Sequence, residues 1–123
     1  MLKFCSIGSG SKGNGTLVSD GVTTLLVDCG FGLKETAKRL LAKDIEPQQL
    51  TAILVTHEHS DHIKGVTSLS NKYNIPVWLS RGTSLHKSCD KLALCNLFNS
   101  HKSFKIGNIR VTPVPVPHDS REA

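Results

Sequence analysis

Apolar positions along this chain follow two periods, and the switches between them mark its elements. Residues 2–8 read as a strand running into Gly8-Ser9-Gly10-Ser11-Lys12-Gly13-Asn14-Gly15. Residues 16–19 and 23–28 read as two more strands, joined at Asp20-Gly21, a pair suited to a tight hairpin. From Leu33 the period lengthens. Leu33, Ala37, Leu40 and Leu41 fall at i, i+4, i+7 and i+8, the stripe of an amphipathic helix. Pro47 separates that helix from a β-branched strand at 52–55.

Ile63, Val66, Leu69 and Tyr73 predict a short helix with Ser60 or Asp61 near its N-terminus. Residues 76–79 read as a strand, and Leu85, Cys89 and Leu92 as a further helix. Two strands, 103–106 and 109–116, flank Gly107-Asn108. Pro113, Pro115 and Pro117 alternate with Val114 and Val116, and proline cannot donate to a ladder. That segment is therefore an edge strand or a polyproline-like extension. Strands alternating with helices predict an α/β layered domain without repeats or linkers.

At 123 residues the chain has room for one domain, 1–123, with a core. No apolar run approaches the ~20 residues of a membrane helix. Polar and glycine residues follow Met1-Leu2-Lys3-Phe4-Cys5 too soon for a signal peptide. The expected location is the cytoplasm, with no membrane partner. Cys5, Cys29, Cys89 and Cys95 lack paired spacing and read as reduced and mostly buried. A net charge of +5 leans toward a polyanion such as nucleic acid, although the lysines and arginines are dispersed.

The chemistry concentrates in His57-Glu58-His59-Ser60-Asp61-His62, directly after the 52–55 strand. Imidazoles and carboxylates together are ligands for Zn, Mn or Fe. In extended backbone, residues two apart share a side, so His57 and His59 can grip one ion. Asp61 and His62 are adjacent and diverge, which suits a second. Two ions ~3.5–4 Å apart can hold a hydroxide and clamp a substrate undergoing displacement. A closed structural zinc site would call for paired cysteines, and none lie nearby.

Gly8-x-Gly10-x-x-Gly13 matches a dinucleotide fingerprint, but that motif must open a helix and here strands follow. It reads instead as a turn beside the site, where Ser9, Gly10, Ser11 and Asn14 can approach a substrate phosphate with backbone N–H groups. Ser9-x-x-Lys12 matches a serine β-lactamase motif without its partner motifs. His86 and His101 read as structural or surface residues, Trp78 as core, and Cys29 as a small buried residue rather than a ligand.

His57-x-His59-x-Asp61-His62 after a hydrophobic strand resembles the signature of the metallo-β-lactamase fold superfamily. Leu25-Leu26-Val27-Asp28-Cys29-Gly30 and Val116-Pro117-His118 resemble its flanking motifs. Ser9-Gly10-Ser11-Lys12-Gly13-Asn14 is most similar to bacterial metal-dependent hydrolases of the YycJ/WalJ type. The resemblance implies an αββα sandwich, of which this chain is the N-terminal half. Members run well beyond this length and add a bridging aspartate and a last histidine, and Asp119 follows His118 too closely to serve.

By the same resemblance, two divalent ions, Zn or Mn, are expected: His57, His59 and His118 on one, Asp61 and His62 on the other. Asp28 would orient the metal-bound histidines, and Asp61 would be the catalytic carboxylate that accepts a proton. The implied activity is hydrolysis of phosphodiester bonds in DNA, RNA or a nucleotide-like molecule, as an exonuclease or small phosphodiesterase. Two other readings stay open: thioester or lactam hydrolysis at the same ions, and a non-catalytic, truncated metal-binding fragment. Oligomeric state is not addressed by the sequence.

Overall fold

The computed structural model describes residues 1–56 and 59–114. Six strands form one sheet in the order β1 (Lys3–Gly8), β2 (Gly15–Ser19), β3 (Thr24–Val27), β4 (Ala52–Leu54), β5 (Val77–Ser80) and β6 (Cys95–Phe98). Neighbours from β1 to β3 are antiparallel, and those from β3 to β6 parallel. A separate antiparallel pair joins β7 (Phe104–Ile106) to β8 (Ile109–Val111). The mixed α/β fold is the expected class.

The β2–β3 hairpin and β4 follow from local chemistry. At the β2–β3 turn, Asp20 Oδ1 accepts the Val22 and Thr23 N–H groups at 2.9 and 2.7 Å. Gly21 takes a φ of 94° that a side chain would resist. Along β2 and β3, Leu17 and Leu26 face one side, and Val18 and Leu25 the other. Ala52, Ile53 and Leu54 are all buried, as a central parallel strand covered on both faces requires.

Two apolar layers result. Leu40 of α1 (Leu33–Leu41) and Val66 and Leu69 of α3 (Val66–Tyr73) join Leu17, Leu26, Ile53, Val77 and Leu79 in one cluster. On the opposite face, Ile106 and Ile109 of the β7–β8 hairpin cluster with Val18, Leu25 and Ala52. Trp78 stacks on Phe104 there at 5.3 Å between centroids, half-buried rather than central. Each fully buried aliphatic side chain contributes ~1.5–3 kcal/mol.

Several expectations are corrected. Leu41 points to solvent, and the buried stripe of α1 runs through Thr36 and Leu40. Thr36 is tolerated inside because its hydroxyl donates to the Gly32 and Phe31 carbonyls at 2.8 and 3.1 Å. The helix expected from Ile63 to Tyr73 is two pieces, α2 (Ser60–Ile63) and α3, parted at Lys64-Gly65. A Cβ at Gly65 would run into the Phe31 carbonyl, so the break sits where backbone must pass backbone.

No long helix spans Leu85 to Leu92; one turn, α4 (Arg81–Ser84), and a 3-10 turn at Lys87–Cys89 stand there instead. Ser80 and His86 side chains cap these turns, and Leu85 is exposed, so its spacing marks no buried stripe. β6 carries no clear sequence signal. β8 stops at Val111, short of the expected 109–116 span, whose residues from Pro115 on lie outside the described residues. All four cysteines are free, but only Cys29 and Cys89 are buried; Cys95 is exposed and Cys5 half-buried.

The stripe makes a direct prediction. Leu40→Ala costs ~2–5 kcal/mol in urea unfolding, whereas Leu41→Ala stays within ~0.5 kcal/mol. A second concerns pH. The Thr23 and Val22 N–H groups hold the Asp20 carboxyl below its ordinary value. The unfolded chain therefore binds the proton more readily, so this contribution is present above about pH 4. It is lost as pH falls through the lower folded value. Melting temperature followed from pH 6 to pH 2.5 falls less steeply for Asp20→Ala than for the parent chain.

Candidate functional site

The parallel strands β3 and β4 deliver their C-terminal ends side by side, since Val27 registers with Leu54. Ligands in open α/β sheets bind outside such ends. Asp28 follows β3 with a φ of 66°, a left-handed conformation that aspartate tolerates better than most residues. Its N–H still donates to Leu54 O at 2.8 Å, while the next N–H, of Cys29, donates to His62 O at 2.7 Å. The chain thus leaves the sheet and runs beneath α2.

Asp28 is buried, its side chain 8% exposed, and that side chain accepts three bonds. Thr56 N–H donates to Oδ1 at 2.8 Å, and the Thr56 hydroxyl to Oδ2 at 2.7 Å. His62 Nδ1 lies 2.7 Å from Oδ2. A carboxylate only accepts, so Nδ1 carries the proton. The other ring nitrogen, Nε2, stands 3.8 Å from Asp61 Oδ2. Asp61 and His62 therefore converge rather than diverge, because Asp28 turns the ring toward its neighbour. Two donors on one divalent ion, each at ~2.0–2.2 Å, can be no more than ~4.4 Å apart. The pair meets that limit and could hold an ion between them.

Asn14 ties the glycine-rich turn to the same point. Its backbone N–H donates to Asp61 O at 2.7 Å, and its carbonyl accepts from Gly30 N at 3.0 Å. Its Nδ2 lies 3.1 Å from both Asp61 O and Asp61 Oδ2, and its Oδ1 accepts the Gly10 N–H at 3.1 Å. A Cβ on Gly30 would run into the Asp61 carbonyl, so three backbones meet with no space for a side chain. Phe31 underlies the turn, with the Arg39 guanidinium 4.1 Å above its ring and donating to Ile7 O at 2.6 Å.

Of the expected site residues, the structure brings Asp28, Asp61 and His62 together. His59 caps α2, its carbonyl accepting the His62 N–H at 2.8 Å. His57 and His118 lie outside the described residues. Among the described residues no group of three His, Cys, Asp or Glu side chains is placed to hold an ion. Ser9, Gly10 and Ser11 are exposed on the turn, but the Gly10 N–H is engaged by Asn14 rather than offered outward. Cys29 is fully buried with its Sγ 3.3 Å from Thr36 Oγ1, on the α1 side, and burial pushes its thiol up. Sequence reasoning missed Thr56, since a threonine after a strand carries no signal of its own.

The family described as "Beta-lactamase superfamily domain" matches residues 23–123. Exodeoxyribonuclease WalJ of Streptococcus pneumoniae serotype 2 is 33% identical over 125 residues, covering 97% of this chain and 46% of that protein. Exodeoxyribonuclease YycJ of Bacillus anthracis is 42% identical over 82 residues, covering 67% of this chain and 31% of that one. The chain thus spans less than half the length of these curated relatives. The metallo-beta-lactamase fold protein YhfI from Bacillus subtilis superposes with a TM-score of 0.76 at 20% identity, covering 99% of this chain and 56% of that structure.

Asn14→Ala removes the side-chain ties to Asp61 and Gly10 while leaving the backbone bonds possible. We expect a loss of ~1–3 kcal/mol in urea unfolding and faster hydrogen exchange at Gly10. Unchanged stability and exchange would contradict the clamp.

Proposed function

The chain belongs to the beta-lactamase superfamily, and from that membership we propose that it acts as a metal-dependent phosphodiesterase on nucleic acid, DNA above all, in the cytoplasm. The observation that carries this reading is the Asp28–His62–Asp61 arrangement, in which a buried carboxylate turns an imidazole toward a second carboxylate. Support for the substrate comes from the relatives, two of which are named exodeoxyribonucleases.

In this reading His57, His59 and His118 hold one divalent ion, and Asp61 and His62 the other, with Zn or Mn as the metal. Bound there, the ions would supply Lewis-acid polarisation of the phosphoryl group and a more acidic water. The chain's own residues do the positioning. Asp28 keeps the proton of His62 on Nδ1 and leaves Nε2 as the donor that faces Asp61. Asn14 bonds Asp61 Oδ2, so Oδ1 is the oxygen that takes the proton released by the attacking water. Ser9 and Ser11 border the substrate's approach. A non-catalytic metal-binding role is the outcome to which a negative assay would point.

Metal content and turnover of bis-(p-nitrophenyl) phosphate test this together. We expect two ions per chain and metal-dependent hydrolysis that His59→Ala abolishes. One ion or fewer, with no turnover, would sink catalysis by this chain. The positioning role has its own readout: Asp28→Asn lowers Zn²⁺ affinity ~10–100-fold in a chelator competition titration. An unchanged affinity would show that Asp28 is only a structural tie.

A further inference from the structure

The cations of this chain are spread along its length, but the acids are not. From Arg81 to Val114 there are six lysines and arginines and one acid, Asp90, so this stretch carries a net +5, as much as the whole chain. Among the described residues none of the six forms an ion pair; the lysine- or arginine-to-carboxylate pair is Arg39 with Glu35. The β7–β8 hairpin even sets Lys105 directly opposite Arg110. Like charges so placed weaken a hairpin, and a bound polyanion relieves them.

The topology brings part of this charge to the edge that bears the site. Because β3 to β6 are parallel, their C-terminal ends lie along one side of the sheet. Asp28 and Thr56 stand after β3 and β4. Arg81 follows β5, and Asn99-Ser100-His101-Lys102 follow β6. Between these last two segments is a cleft of about 390 Å³ lined by Arg81, Leu97, Phe98, Asn99, Ser100 and His101. With strands ~4.8 Å apart, the two walls of the cleft stand roughly 5 and 10 Å along the edge from the end of β4. A strand running on from the site crosses it within the ~4–16 nucleotides that single-strand grooves accommodate.

Both walls are built. Ser80 Oγ accepts the Thr83 N–H at 3.2 Å and sets the turn that begins with Arg81. Asn99 Oδ1 accepts the His101 N–H at 2.8 Å, and its carbonyl the Lys102 N–H at 3.1 Å. With their backbone bonded inside the turn, His101 and Lys102 present exposed side chains. Phe98, stacked on Phe104 at 4.9 Å, supplies an apolar wall, and among the described residues no acid lines the cleft.

We propose that this cleft binds the phosphodiester backbone of a single-stranded nucleic acid, gripping the strand where it runs on past the site. Arg81, His101 and Lys102 meet phosphates, and the Phe98 wall meets sugar or base, the combination that single-strand grooves use. The proposal rests on the phosphodiesterase reading for its substrate, but not for its test.

The test is fluorescence anisotropy of a fluorescein-labelled oligothymidylate in EDTA, where neither hydrolysis nor bound metal contributes. The Arg81→Glu/Lys102→Glu double variant should bind at least about ten-fold more weakly, with the slope of log K against log salt reduced by about 1–2. Lys34→Glu/Lys43→Glu, on the α1 side, should bind as the parent does, and a polyglutamate of equal charge should bind the parent more weakly than the oligonucleotide. Hydrolysis of bis-(p-nitrophenyl) phosphate, too small to reach the cleft, should be the same in both double variants. No oligonucleotide binding by the parent, equal losses in the two double variants, or equal affinity for polyglutamate would each overturn the proposal. Absence of hydrolysis in the parent, with oligonucleotide binding still lost in Arg81→Glu/Lys102→Glu, would refute the phosphodiesterase reading and leave the cleft assigned.

Discussion

Asp28 has two carboxylate oxygens, and three donors reach them at 2.7–2.8 Å: the Thr56 N–H, the Thr56 hydroxyl and the His62 ring. Left unpaired at this depth, the charge would cost several kcal/mol; the charge-assisted bonds offset that cost. The geometric effect is the larger one. One side chain joins the end of β3 to the end of β4, 28 residues on, and to α2, 34 residues on. The left-handed φ of 66° at Asp28 is a local strain of order 1–3 kcal/mol. It persists because the N–H groups on either side of that turn, from Asp28 and Cys29, are bonded to Leu54 and His62.

From this anchor the rest of the edge follows in sequence. Cys29 and Gly30 pass beneath α2, Gly30 admits the Asp61 carbonyl, and Asn14 closes over Asp61 from the glycine-rich turn. Phe31 and Arg39 then brace the turn against α1 and β1. The sheet, with its two apolar clusters, is the rigid body behind these contacts.

Much of the fold was legible from period alone. The β2–β3 hairpin, α1, β4 and β5 carry local signals: a turn pair, a helical stripe, or a short β-branched run. What escaped is non-local. β6 is an edge strand whose Leu97 stays exposed, so burial never imposed a clean alternation on Cys95–Phe98. Leu85, Cys89 and Leu92 have helical spacing, yet the Ser80 and His86 side chains each start a separate short turn, so no continuous helix joins them. At the site, Asp28, Asp61 and His62 were named by their motif. Their convergence was not readable, because it depends on Val27 lying beside Leu54 in the sheet. Asn14 read as a substrate-facing residue because its bond to Asp61 spans 47 residues of chain.

The Asp28 carboxylate, 2.7 Å from the ring, fixes the proton of His62 on Nδ1 and so aims Nε2 at Asp61. Two-dimensional long-range ¹H–¹⁵N NMR of the metal-free chain, at alkaline pH where imidazole rings are neutral, reads that tautomer directly. The expected spectrum shows a protonated Nδ1 and an unprotonated Nε2 for His62. A protonated Nε2, or the mixture of tautomers expected of an unconstrained ring, would contradict it.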